Sequence, residues 1–333
     1  MFEESMMTTI YVAQPQTELR LQSQQLQIFQ RQRFCFAVPL NRVKQVIVLG
    51  QQPWAQKAVN LALSLEIPVL YFEPNGQCVE YLKPSAEPAA YLEAQLERSH
   101  EITFVRDMAE SLVRAKLHNA GVLLRQRSQE AQAAVEQVLV LLGRLSDDLP
   151  LAPSLPVLQS YGETGRSFYR AALHRLLPDG WRQYNRGLAP LRRLTELGVA
   201  LLSQRIQLVL REYGLDEEIA NLHCDALVRP PLVCDFLTEL QMPLVDALVL
   251  DLLVTQQIGP EDFVWLGEGL FLSPSALDIF VQHWGQHLAS PIWHPVAGET
   301  THRDCIELQV EAYAAMVLGD EVVYCPLLLM EKE

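Results

Sequence analysis

The feature that most constrains this chain is a change of hydrophobic period at Pro84-Ser85-Ala86-Glu87-Pro88-Ala89-Ala90. Two prolines among small residues break whatever element precedes them. Ahead of the break, apolar residues come in short β-branched runs: Thr8 to Ala13, Leu19 to Gln22, Leu26 to Phe29, Phe34 to Pro39 and Val43 to Leu49. Leu19 and Leu21, then Leu26 and Ile28, alternate with polar residues as half-buried antiparallel strands do. Val46 to Leu49 and Val69 to Phe72 are unbroken apolar runs, suited to strands covered on both faces. Trp54 to Ser64 fits one helix between them, and the glutamine-rich stretch Leu21 to Gln32 reads as the polar side of a hairpin.

Beyond the break the period becomes helical, through Phe104 to Arg127, Ala131 to Leu145, Gly165 to Leu177, Pro190 to Tyr213 and Leu232 to Leu253, with Pro150 to Pro156 as a loop. The expected fold is α+β: a small β-rich N-terminal domain over residues 1–88, followed by a larger all-α C-terminal domain over residues 89–333. At 333 residues and 49% hydrophobic content the chain can bury a sizeable core. The longest apolar stretch, Pro243 to Val254, is interrupted by Asp246 and Asp251, so no membrane span is expected. Six cysteines without close pairing read as buried, reduced thiols, and the cytoplasm is the expected compartment.

A net charge of -14 argues against wrapping of nucleic acid by the whole surface, because neutralising phosphates takes lysine and arginine. Any DNA contact needs a local basic patch. Arg166, Arg170, Arg175, Arg182, Arg186, Arg192 and Arg193 fall in one stretch and are the candidates. The alternative is that they line ordinary solvated helix faces.

Four residues carry the candidate chemistry. Glu163, His223, Asp235 and Glu239 offer hard oxygen and imidazole donors of the kind that hold Mg²⁺ or Mn²⁺ at a phosphodiester. Asp235 and Glu239 are one turn apart on a helix, which suits shared metal binding and equally a plain pair of surface acids. His223 is either a ligand or a satisfied core histidine, with Asp225 as a neighbour able to orient it. Asp246 lies inside an apolar run and is expected to be buried and hydrogen-bonded. His283 and His287 have zinc-pair spacing, but Trp284 stands where the zinc signature needs glutamate, so they read as a helix face. Glycine-rich phosphate loops and a Gly-x-Ser-x-Gly elbow are missing.

The order of these features resembles the CRISPR-associated endonuclease of the spacer-integration complex, the first-numbered Cas family. The resemblance runs through Phe36 to Leu40, Ala62 to Phe72 and the turn Asn75-Gly76. It continues through Glu163 before Gly165 and Tyr169, the helix from Pro190 to Leu202, Tyr213-Gly214-Leu215-Asp216 leading to His223, and Pro231-Leu232-Val233-Cys234-Asp235. The sequence departs from the family's pattern at Arg192 and Glu196, where asparagine and serine are usual. It departs again at Thr238, which takes the place of the acid three residues after the aspartate. Glu239 follows directly, about 40° from Asp235 around the helix axis where the usual acid is about 60° away on the other side.

The resemblance implies a metal-dependent DNA endonuclease and strand transferase that inserts captured fragments into a CRISPR array. Glu163, His223 and Asp235 would be catalytic and hold Mg²⁺ or Mn²⁺, with Glu239 as substitute ligand. Arg166, Arg170, Arg182, Arg186, Arg192 and Arg193 would bind DNA. Its implied partners are double-stranded fragments, the CRISPR repeat, a second copy of the chain as a homodimer, and the small second Cas adaptation protein. The alternative is a catalytically impaired DNA-binding or assembly subunit of the same fold, which Arg192 and Thr238 favour.

Overall fold

A computed structural model describes residues 8–12, 17–49, 61–62, 65, 67, 69–72, 78–82, 91–127, 132–177, 181, 189–224, 229–266, 269–320 and 323–331. The chain forms two units: Met1–Glu87 with Ala189–Ala200 and Ile258–Gln282, and Pro88–Leu188 with Leu201–Gln257 and His283–Glu333. A small N-terminal strand region precedes a mostly helical remainder, which makes the fold α+β.

Seven strands of the first unit are β1 (Thr8–Val12), β2 (Thr17–Gln22), β3 (Gln25–Gln30), β4 (Arg33–Pro39), β5 (Val43–Leu49), β6 (Val69–Phe72) and β7 (Cys78–Leu82). One sheet runs β1-β5-β6-β7, with β5 parallel to β1 and to β6, and β7 antiparallel to β6. Val46, Ile47 and Val48 on the central strand are all buried, as an unbroken apolar run predicts. The other sheet, β2-β3-β4, is an antiparallel meander. Its two turns put Ser23, Gln24, Arg31 and Gln32 at positive φ, the geometry of tight hairpins, so the glutamine-rich stretch folds as two successive hairpins. Leu19, Leu26, Ile28 and Val38 join Ile10, Val12, Val46 and Val48 in one core, whereas Leu21 is exposed at the end of β2. The candidate helix Trp54 to Ser64 lies outside the described residues except for Leu61 and Ala62, which are helical.

Helices α1 (Leu92–Ser99), α2 (Ile102–Arg127), α3 (Gln132–Asp148) and α4 (Leu155–Leu176) open the second unit. Helix α5 (Ala189–Glu212) follows, then α6 (Pro231–Gln241), a π turn (Met242–Asp246) and α7 (Ala247–Val254). The hairpin β8 (Phe263–Leu266) and β9 (Gly269–Leu272), helix α8 (Pro274–Ala289), the hairpin β10 (Pro291–His294) and β11 (Gly298–Thr301), and helix α9 (His302–Leu318) complete the chain. Helix α4 begins ten residues before the expected Gly165. Pro156 ends no helix here; it occupies the first turn, where a missing N–H costs nothing. The single apolar run from Leu232 to Leu253 is interrupted by the π turn at Pro243, whose freed carbonyl takes a hydrogen bond from His287 Nε2 at 3.1 Å. His287 stacks on His302 with ring centres 4.2 Å apart, and burial pulls its pKa down to about 4.

Helix α2 packs against α3, α4 and α6 and is buried almost all round from Leu112 to Leu124. Gly165 on α4 allows that contact: a Cβ there would meet Leu117 Cδ2 at 2.2 Å. Among the described cysteines only Cys305 is buried, while Cys35, Cys224 and Cys325 are exposed, which corrects the expectation of uniformly buried thiols. None of the helices among the described residues is long and apolar enough to cross a membrane.

Glu239 on α6 is completely buried. Its carboxylate accepts hydrogen bonds from Leu327 N at 2.6 Å, from the Tyr324 hydroxyl at 2.8 Å and from Gln309 Nε2, and so pins the segment after α9. Burial raises its pKa from 4.5 to about 7 against the pull of those donors. The folded chain therefore keeps a proton that the unfolded chain releases, and this group's contribution to stability falls as pH rises from 4.5 to 7. Glu239→Gln removes that slope but sets an amide N–H against one of the donors. We expect it to cost about 1–3 kcal/mol at pH 5 and less at pH 8, read from urea unfolding at the two pH values. A gap that widens with pH would contradict the assignment. Gly165→Ala should lower stability by about 1–3 kcal/mol despite alanine's better helix propensity; a net gain in the same assay would mean that Leu117 turns aside freely.

Candidate functional site

Helix α4 presents Gln159, Gly162, Glu163 and Arg166 along one face, at the spacing that stacks side chains turn over turn. They meet Val113 and Lys116 of α2, Leu222 and His223 of the loop after α5, and Thr238 of α6. Together Val113, Lys116, Gln159, Gly162, Glu163, Leu222, His223 and Thr238 line a pocket of about 340 Å³. At Gly162 a Cβ would make only ordinary contact, with Lys116 Nζ and Val113 Cγ1 both at 3.6 Å.

His223 is placed by Asp235. That carboxylate is buried, and it accepts the backbone N–H groups of Asn221 at 2.7 Å, Leu222 at 3.1 Å and His223 at 3.0 Å. It also pairs with His223 Nδ1 at 2.9 Å. An ionised carboxylate only accepts, so Nδ1 carries the proton in that bond and Nε2 is the nitrogen left for the pocket. One aspartate thus folds a loop and orients a ring.

Glu163 is the pocket's one carboxylate, and it is shared. Lys116 Nζ lies 3.0 Å from Oε1 and Arg166 Nη1 3.7 Å from Oε2. Burial pushes the Glu163 pKa up, but the Lys116 ammonium, Arg166 and His223 outweigh it, and the carboxyl stays below its usual value. Lys116 is only 5% exposed at its side chain. Burial and the neighbouring Arg166 pull its pKa down to about 8, against the upward effect of Glu163.

The expected site residues are therefore dispersed in role. Glu163 and His223 line one pocket, and Asp235 stands behind His223 with its oxygens occupied. Glu239 does not join them: α6 is buried on both sides, and the residue after Thr238 turns into the core toward Tyr324 and Leu327. The third position at the pocket belongs to Thr238, whose hydroxyl donates to Cys234 O at 3.0 Å. Arg166 stands at Glu163, and the charges of Arg166 and Arg170 act on buried Asp246, which Gln241 also binds at 3.1 Å. Arg192 and Arg193, in the first unit, both grip Glu196 at 2.7 and 2.9 Å. Arg182 and Arg186 lie outside the described residues.

Mg²⁺ or Mn²⁺ needs hard, available oxygens, and here the donors are one carboxylate already paired with an ammonium and one imidazole. No group of three His, Cys, Asp or Glu side chains among the described residues could hold an ion. Glu163 and His223 give the pocket two such donors, so a divalent cation held here would take its remaining ligands from water or a bound phosphate. Lys116 was the residue that sequence reasoning overlooked, although its place among Met108, Leu112, Ala120 and Leu123 on a buried helix face marks it as a lysine needing a partner.

The sequence model of the family described as CRISPR associated protein Cas1 matches residues 10–286. An endonuclease of Methanospirillum hungatei, Cas1 4, is 24% identical over 330 residues, covering 96% of this chain and 91% of that protein. The Cas4/Cas1 exonuclease–endonuclease fusion of Rhodospirillum rubrum is 27% identical over 312 residues, covering 87% of this chain and 53% of the fusion, so the chain spans about half of that relative. A solved Cas6-RT-Cas1–Cas2 complex contains a chain that superposes with a TM-score of 0.81 at 17% identity, over 99% of this chain and 37% of its own length; this is a likeness of fold. With a family match over most of its length, this chain belongs to the CRISPR-associated Cas1 family.

Proposed function

We propose that the chain takes the Cas1 part in spacer acquisition chiefly as a DNA-holding subunit, with metal-dependent strand transfer impaired. It would bind double-stranded fragments and the CRISPR repeat as a homodimer, with a small Cas2-type partner like the one in the solved complex above. The observation that carries this reading is the make-up of the pocket: Thr238 stands with Glu163 and His223, and Lys116 already balances the single carboxylate. Lys116 and Arg166 against Glu163 leave the pocket wall with a surplus of positive charge, which favours a phosphate over a second cation. Arg170, one turn beyond Arg166, extends that charge along α4. A local patch of this kind is what a chain of net charge -14 needs to approach DNA.

A second reading has one specific observation in its favour. His223 held through Nδ1 by Asp235 is the arrangement that commonly prepares an imidazole to bind metal through its other nitrogen. On that reading Glu163, His223 and a DNA phosphate share Mg²⁺ or Mn²⁺, and the chain is a metal-dependent DNA endonuclease and strand transferase.

Calorimetric titration separates the two. Duplex DNA should bind in EDTA within about twofold of its affinity in Mn²⁺, since affinity comes from phosphate neutralisation, and Mn²⁺ alone should give no saturable heat. A saturable Mn²⁺ isotherm that Glu163→Ala and His223→Ala each abolish would overturn the first reading and establish the second. Loss of duplex binding in every condition would remove both.

A further inference from the structure

The segment from Val323 to Glu331 belongs to no helix or sheet, yet side chains of three helices hold its main chain. Gln309 of α9 donates to Cys325 O at 3.2 Å. Glu239 of α6 accepts Leu327 N, and Asn119 of α2 clamps two residues at once: its Nδ2 donates to Leu327 O at 2.9 Å and its Oδ1 accepts Leu329 N at 2.8 Å. On the same helix, His118 Nε2 meets Leu329 O at 3.0 Å, and two turns beyond it Gln126 Nε2 donates to Met330 O at 3.0 Å. The main-chain groups held in this way are the carbonyls of Cys325, Leu327, Leu329 and Met330 and the N–H groups of Leu327 and Leu329. Only two side chains of the segment are buried, Tyr324 and Leu327, three residues apart.

The floor under this segment is polar. Asn119, Glu239 and Gln309 are each completely buried. A core built only to be covered is lined with apolar groups, because every buried polar group costs free energy unless it is bonded. These three bond to the segment that covers them, and on its departure they would be met by water. An apolar floor of equal area would have no such compensation.

We infer that α2, α6 and α9 form a peptide-binding groove, and that the C-terminal segment is its separable, tethered occupant. The groove recognises an extended main chain through Asn119, Glu239 and Gln309, and it selects a tyrosine and a leucine three residues apart. It takes the chain's own Tyr324-Cys325-Pro326-Leu327, and the same sequence supplied in trans. This inference is independent of how the pocket handles DNA.

The test uses the full chain carrying Leu327→Asp, which dislodges its own segment, and a fluorescent peptide of residues 320–333. Saturable binding to this variant, at least tenfold tighter than to the unaltered chain, is the expected result. The same peptide carrying Leu327→Asp should bind at least tenfold more weakly. Equal binding to both chains, or none to a variant that still melts cooperatively, overturns the inference. Should the variant not fold, hydrogen exchange of the unaltered chain decides: the amides of Leu327 and Leu329 should exchange at least tenfold faster than those of Leu123 and Leu124 on α2. Equal rates would show that the segment opens only when the whole unit unfolds, and would reject separability.

Discussion

A helix buried on nearly every side can keep a polar side chain only where that group finds a partner, and α2 keeps two such groups at its centre. Lys116 reaches Glu163, and Asn119, less than a turn away, reaches the main chain of Leu327 and Leu329. Each satisfied group fixes a neighbouring feature. The lysine commits α4 to one wall of the pocket, and the asparagine commits the C-terminal segment to its groove. Gly165 lets α4 approach α2 closely enough for the apolar contact with Leu117. Removing the half-exposed Glu163 would leave the buried Lys116 ammonium without its partner, and removing Asn119 would leave main-chain groups of Leu327 and Leu329 unbonded; each is costlier than the loss of the bond itself.

Asp235 shows the same economy in another place. Its two oxygens accept three consecutive backbone N–H groups and one ring N–H, so a loop with no regular structure of its own becomes a fixed mount for His223. That role leaves it no lone pair aimed at the pocket. The site then consists of one imidazole, one hydroxyl and a carboxylate–ammonium pair, with Arg166 beside the carboxylate tipping the charge to positive.

The β-rich half was largely legible from sequence because period-two alternation and unbroken apolar runs report burial directly. Val46 to Val48 are covered on both faces, and Leu19, Leu26 and Ile28 point inward. The helical half was legible in its existence but not in its edges. Pro156 was placed in a loop when it sits in the first turn of α4, and the four-residue strands β8 to β11 were too short to carry a period. The site was half legible. Glu163 and His223 were candidates for the chemistry of their side chains and line one pocket, whereas Glu239 lies elsewhere, since i,i+4 spacing places two acids near one stripe but cannot say which side of a buried helix faces a cavity. Lys116 carried a signal on the buried face of α2, and its partner was settled only when α4 was seen to begin at Leu155.

The attachment of the C-terminal segment to α9 has a kinetic and thermodynamic consequence. A ligand tied to its receptor by a few residues is present at an effective concentration of roughly millimolar, whatever the concentration of the protein. Any outside chain seeking the same seat must outcompete that permanent neighbour, so weak or scarce sequences are screened out without a single repulsive contact.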